Sequence, residues 1–226
     1  MENTLAAYEA SINLWNQYRS NSENLLGLIA QGSYFEITRD MYENWTGNSP
    51  DYIHAYVGVD TSNSPSIGFL LIDSVCDSDP ATVTVENISY APYCEGFDNL
   101  QVIPPFSGNE NPGNNISVLD ALQRSFRWML NRKRYIENKV AEGAGETAGM
   151  FQAFNIPISD LDSIFSDPDA SKALVVFGLK ADNTTSELIL WSNNYSVDQT
   201  VEDVALPMPP FHVTSIYSLL QLSLNS

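Results

Sequence analysis

Phe-Asn-Ile-Pro-Ile-Ser-Asp (154–160), Val-Phe-Gly-Leu (176–179), Glu-Leu-Ile-Leu-Trp (187–191) and Pro-Pro-Phe (209–211) follow one another in the second half of the chain. The first half carries Phe-Glu-Ile-Thr-Arg-Asp (35–40), Tyr-Val-Gly-Val (56–59), Gly-Phe-Leu-Leu-Ile-Asp (68–73) and Pro-Pro-Phe (104–106) in the same order. The spacing from Phe35 to Gly58 differs by one residue from that between Phe154 and Gly178. A duplicated architecture follows from that match: repeat 1 over 1–106, a linker at 107–114 and repeat 2 over 115–226. The unit is far longer than a solenoid repeat of about 20–50 residues, so each copy has the length to own a core.

Working outward, each copy opens on a helix. In the first, Leu5, Tyr8, Ile12 and Trp15 recur three and four apart over 4–19, the period of one helical face. A second short helix, capped by Ser22, is expected before Gly32. In the second copy Ser117 and Asp120 have capping-box spacing, and Leu119, Leu122, Phe126, Met129, Ile136 and Val140 line one face to about residue 140. Asp40 is placed to cap a small helix at 41–45, and Ser159 with Asp162 to cap its counterpart. Ile53–Val59 and Ile67–Val75 flank the turn-rich Asp60–Pro65, and Leu174–Leu179 and Glu187–Trp191 flank Asp182-Asn183-Thr184. Each pair predicts a hairpin. Thr82–Ile88 alternates as a further strand, Val201–Leu206 as another, and Val213–Leu222 as a terminal helix. The expected class is α+β: two similar repeats, each a helix over a small, mostly antiparallel sheet, packed as a pseudo-dimer. The copies differ most between the glycine and Pro-Pro-Phe, where the first is longer around residues 76–98 and holds both cysteines.

The second copy resembles a group of uncharacterised proteins from Bacteroidetes-type bacteria. The resemblance lies in Phe154–Asp160, in Gly178-Leu179, and in Pro207-Met208-Pro209-Pro210-Phe211-His212. That group carries a Pro-Cys-Pro-Pro-x-Cys ending, so Met208 and His212 occupy the two cysteine places. A redox or thiolate-metal role of that pair does not transfer to this chain, and the resemblance implies a bacterial protein with no assigned activity.

Composition bounds the function. The 226 residues are 43% apolar, enough for a packed core, and the net charge is −18. Nucleic acid and anionic membrane are poor partners for such a charge. No run approaches the roughly 18 apolar residues of a membrane span. The first residues have no basic stretch followed by an apolar one, so a cytoplasmic protein with two thiols, Cys76 and Cys94, is expected, with a single Cys76–Cys94 bridge as the alternative.

Candidate chemistry is sparse. His54 and His212 are the two histidines, and neither has a metal-ligand companion at the usual spacing. Asp73, Asp77 and Asp79 lack the glycine and distal glutamate of a calcium loop. Cys94 with His54 offers a thiolate pair only if the fold joins them. Asp40 and Asp160 recur at matched places, which suits a carboxylate dyad or, more simply, two helix caps. No metal and no cofactor are expected. One charge feature stands out: Arg124 to Lys139 holds six of the ten basic residues, a segment of +5 in a chain whose remainder is −23.

The reading is a non-enzymatic binding or protein-interaction module, acting on a protein or a small molecule, as a monomer with an internal pseudo-dimer or as a weak homodimer. Arg124, Arg127 and Arg134 are the candidate charged contacts. Trp45 and Tyr56, with Tyr52 and the Pro-Pro-Phe turns, are candidates for an exposed aromatic patch. The alternative is a hydrolase-like enzyme with Asp73 or His54 in a groove between the repeats.

Overall fold

The computed structural model describes residues 2–96, 116–143, 149–192, 201–208 (backbone only) and 217–225. The linker at 107–114, both Pro-Pro-Phe turns and His212 lie outside the described residues. The first half contains α1 (Leu5–Tyr18), α2 (Ser22–Ile29), β1 (Tyr34–Thr38), α3 (Arg39–Thr46), β2 (Tyr52–Asp60), β3 (Ser66–Asp73) and β4 (Ser89–Pro92). The second contains α4 (Val118–Ala141), β5 (Ala153–Pro157), α5 (Ile158–Phe165), β6 (Lys172–Leu179), β7 (Ser186–Ser192), β8 (Val201–Met208) and α6 (Ser218–Asn225). The class is α+β.

All eight strands join one antiparallel sheet in the order β1-β6-β7-β8-β5-β2-β3-β4. Strands of the two halves interleave: Tyr34 of β1 lies opposite Val176 of β6, and Ala153 of β5 lies opposite Tyr56 of β2. The outer strands then meet. The Ser33 and Tyr34 amides donate to the Cys94 carbonyl, and the Cys94 amide donates to the Tyr34 carbonyl at 2.7 Å. That bridge closes the sheet on itself and removes the free edges that would otherwise invite aggregation.

The strands carry continuous apolar runs because both faces are covered. Ile53, Ala55, Val57 and Val59 of β2 share one core with Ala173, Val175, Phe177 and Leu179 of β6. This core draws on both halves, so neither owns a separate one. The opposite face of β2 and β3, with Tyr56, Leu70 and Ile72, is covered by Tyr8 and Ile12 of α1 and by Leu219 and Leu220 of α6. The opposite face of β6 and β7, with Leu174, Val176, Ile189 and Trp191, packs on Ala121 of α4. The halves are tied further where Trp15 Nε1 donates to the Phe151 carbonyl at 2.8 Å and Arg19 to the Met150 carbonyl at 2.6 Å.

Both hairpins form where the turn residues place them. In the second, Asp182 Oδ1 accepts from the Thr184 and Thr185 amides while Asn183 adopts φ 58°, a side-chain turn that asparagine tolerates well. Ser117 caps α4, its Oγ accepting from the Asp120 amide. Three other expected caps are displaced. Asn21 rather than Ser22 caps α2, and Thr38 rather than Asp40 caps α3, because the last extended residue already presents a side-chain oxygen. Pro157 precedes α5 with no side-chain cap, so Ser159 and Asp162 lie inside the helix. Asp40 and Asp160 therefore sit in first turns, where a carboxylate meets the positive end of the helix dipole. The strand expected at 82–88 is instead a 3-10 turn at Val85–Asn87 followed by β4.

Candidate functional site

The period-two alternation of β2 turns His54 and Tyr56 away from the shared core, toward α6. There Asp77, in the short turn Cys76–Ser78, accepts from His54 Nδ1 at 2.6 Å and from the Tyr56 hydroxyl through one oxygen. Its other oxygen accepts the Leu219 amide at 2.8 Å, at the start of α6. The Tyr217 ring lies 4.7 Å from the His54 ring, and its hydroxyl meets the Asn155 amide group at 3.0 Å. Burial, then the Asp77 charge and hydrogen bond, push the Tyr56 hydroxyl well above its ordinary pKa, and burial raises Tyr217 as well. Exposure decides what this cluster does: His54 is 1% exposed, Asp77 and Tyr56 0%. A sealed group meets no substrate, so the geometry serves to fasten α6 over β2.

Asp73, also buried, closes the same turn by accepting the Val75 and Cys76 amides at 3.0 and 2.8 Å and the Asn48 side chain at 3.1 Å. Asp79 turns to the Ala81 amide. The three aspartates thus serve separate backbone groups, and among the described residues no His, Cys, Asp or Glu cluster is arranged to hold a metal. Asp40 is exposed, whereas Asp160 is buried beside Ser159 Oγ. No hydrogen bond joins them.

The thiols are free and half-buried. Burial, followed by the hydrogen bond and charge of Asp73, pushes Cys76 up to about 11. Burial raises Cys94 too, and Cys94 lies at the sheet closure while His54 faces Asp77. A thiolate–imidazole pair does not form. Cys76 is expected to react with iodoacetamide at pH 8 on the order of a hundredfold more slowly than an ordinary cysteine, because the thiolate is the reactive species. In a Cys94→Ser background its rate should keep rising tenfold per pH unit through pH 10; a plateau near pH 9 would contradict this.

The basic helix divides its cations by direction. Arg124 pairs with buried Glu187 at 3.1 Å, and Arg127 donates to the Leu179 carbonyl at 2.8 Å. Both serve the β6–β7 hairpin of their own half. Trp128 stacks on Phe177 at 5.0 Å, and the Tyr135 hydroxyl meets Ser186 Oγ at 2.9 Å. The buried stripe of α4 is thus Ala121, Trp128, Tyr135 and Ile136. That rotation corrects the sequence-derived face. Leu119 is 50% exposed, Phe126 and Met129 58%, and Leu130 82%. Arg134 is exposed, and among the described residues it makes no ion pair or hydrogen bond.

Trp45 and Tyr56, expected on an exposed aromatic patch, are instead buried: Trp45 closes α3 against the shared core and Tyr56 binds Asp77. Tyr52 is partly exposed at the start of β2. The heptad spacing of Ala121, Trp128 and Tyr135 is the signal that would have oriented α4. An open depression of about 450 Å³ beside α1, lined by Ala7, Ala10, Ser11, Val59 and Asp60, gathers no catalytic set. No helix among the described residues is long and apolar enough to cross a membrane. Comparison with protein-family models, with curated proteins and with solved structures finds no match to this chain.

Proposed function

We propose that this chain is a protein-interaction module built by internal duplication, docking its partner through the outward face of α4. The observation that carries the docking role is the row Leu119, Phe126, Met129 and Leu130, exposed on a helix whose other face is fully used. A contiguous apolar patch rimmed by charge is the usual mark of a protein-binding surface. The duplication is supported by the strand order. Adding four to each strand number, cyclically, turns β1-β6-β7-β8-β5-β2-β3-β4 into the same closed cycle. In both halves a five-residue strand runs straight into an eight-residue helix. Ser11 and Ser125, at matched places in α1 and α4, each bury an Oγ that has no hydrogen-bond partner among the described residues. The repeats thus behave as a fused two-fold dimer that exchanges first strands.

The test is a photo-crosslinking amino acid at Leu130, irradiated in the native cellular extract, with the same group at exposed Ser163 of α5 as control. A discrete adduct from Leu130 and none from Ser163 is the expected result. Equal or absent labelling at the two positions overturns the docking role.

A further inference from the structure

We infer that the partner docked on α4 is a second copy of this chain, packed α4 against α4 in antiparallel fashion about a two-fold axis. The inference rests on the docking role of this face and adds its occupant.

The argument begins with charge. The molecule carries −18, so two copies repel over most of their surface. The outward face of α4 is different. Arg124 and Arg127 are turned inward, to Glu187 and the Leu179 carbonyl, and Lys139 meets Glu142 at 2.9 Å. What remains exposed along that face is Asp120, Lys133, Arg134 and Glu137, two acids and two bases. A balanced face on an acidic molecule is where a second copy meets least opposition.

Register points the same way. At about 100° per residue, Leu119, Phe126 and Leu130 fall on one narrow stripe, while Asp120 and Arg134 share one flank of it. Those two residues stand 14 positions apart, about 21 Å along the helix at 1.5 Å per residue. In an antiparallel pair related by a two-fold axis, residues on one flank meet residues on the same flank of the partner. An axis at Arg127 sets Asp120 of each copy opposite Arg134 of the other, forming two ion pairs. The midpoint of Phe126 and Leu130 is residue 128, one position away. The axis that pairs the charges therefore also centres the apolar pair, as an isologous contact requires. Parallel packing about a two-fold axis fails by the same reasoning, because it carries each flank to the opposite side of the seam and leaves Asp120 and Arg134 of the two copies unable to meet. Among the described residues neither the Asp120 nor the Arg134 side chain has a hydrogen-bond or ion-pair partner, and both are exposed.

The test is sedimentation equilibrium of the full chain over a concentration series, with Arg134→Glu, Asp120→Arg and the double variant Asp120→Arg/Arg134→Glu. All three change exposed side chains, and circular dichroism confirms that they fold. The wild type is expected to dimerise reversibly. Each single variant should weaken the dimer roughly tenfold or more, since it replaces two opposite-charge contacts by like-charge ones. The double variant should restore it. A wild type that stays monomeric at its highest soluble concentration overturns the inference, as does a double variant no tighter than the singles. The docking role fails separately: a monomer whose Leu130 still crosslinks to a different protein keeps the docking face and loses only the second copy.

Discussion

Phe177→Ala is expected to lower stability by about 3–5 kcal/mol, the usual cost of removing a large buried ring from a core that cannot collapse around the gap. Phe177 is the hub of the shared core. Its ring centroid lies 5.0 Å from Trp128, 5.4 Å from Phe151, and 5.9 Å from both Tyr93 and Phe154. Phe69 follows at 6.1 Å. Two of these rings come from the first half and three from the second. The loss should therefore register in the whole molecule at once. Urea unfolding followed by tryptophan fluorescence and by far-ultraviolet circular dichroism should show both midpoints falling together in one transition. Two separated transitions, with only the second-half signal displaced, would contradict a core common to both halves. Phe177→Leu, which retains most of the apolar volume, should cost well under half as much.

Asp77→Ala is the second large effect, about 3–5 kcal/mol, because each buried donor left without its acceptor costs about 1–3 kcal/mol. It strands three donors at once: His54 Nδ1, the Tyr56 hydroxyl and the Leu219 amide. None of the three residues has solvent to fall back on, so each donor bears its desolvation cost unrelieved. The damage should be directional. Hydrogen exchange should accelerate first at the amides of α6, because Leu219 is the residue that Asp77 anchors. Asp77→Asn keeps one acceptor oxygen and should be milder. A variant within about 0.5 kcal/mol of wild type, an ordinary surface effect, would show that the carboxylate contributes nothing to holding the helix.

These two residues also mark where sequence reading succeeds and where it stops. Val-Phe-Gly-Leu was recognisable as a strand because burial on both sides leaves an unbroken apolar run, and the Asp182-Asn183 turn fixes its hairpin. Ser117 announced the start of α4 because capping is a local event, settled within three residues. Asp77 was only one acidic residue in a loop. Its role depends on Leu219, 142 positions away, and no local pattern encodes that contact. The rotation of α4 was lost for a related reason. Leu119, Phe126 and Leu130 are as apolar as Trp128 and Tyr135, so hydrophobic period alone fits two faces. The ring of Phe177 decides between them, and it lies on another element. Strand partnership was likewise out of reach: similar hairpins declare their own pairing but not that β1 joins β6 across the midpoint of the chain.

The pairing of β1 with β6 and of β2 with β5 across the midpoint of the chain has a consequence for synthesis. As the chain leaves the ribosome, β1 is complete by Thr38, yet its ladder partner runs from Lys172 to Val176. Until those residues emerge, the one partner of β1 among the described residues is Cys94 on its other side. β2 likewise waits for β5 at 153–157. Such distant pairings slow folding and leave strand edges open to neighbouring nascent chains. A polysome therefore holds β1 and β2 as parts of an unfinished sheet until residues 153–176 emerge, and the natural complement of those strands is the second half of their own chain or of the one beside it.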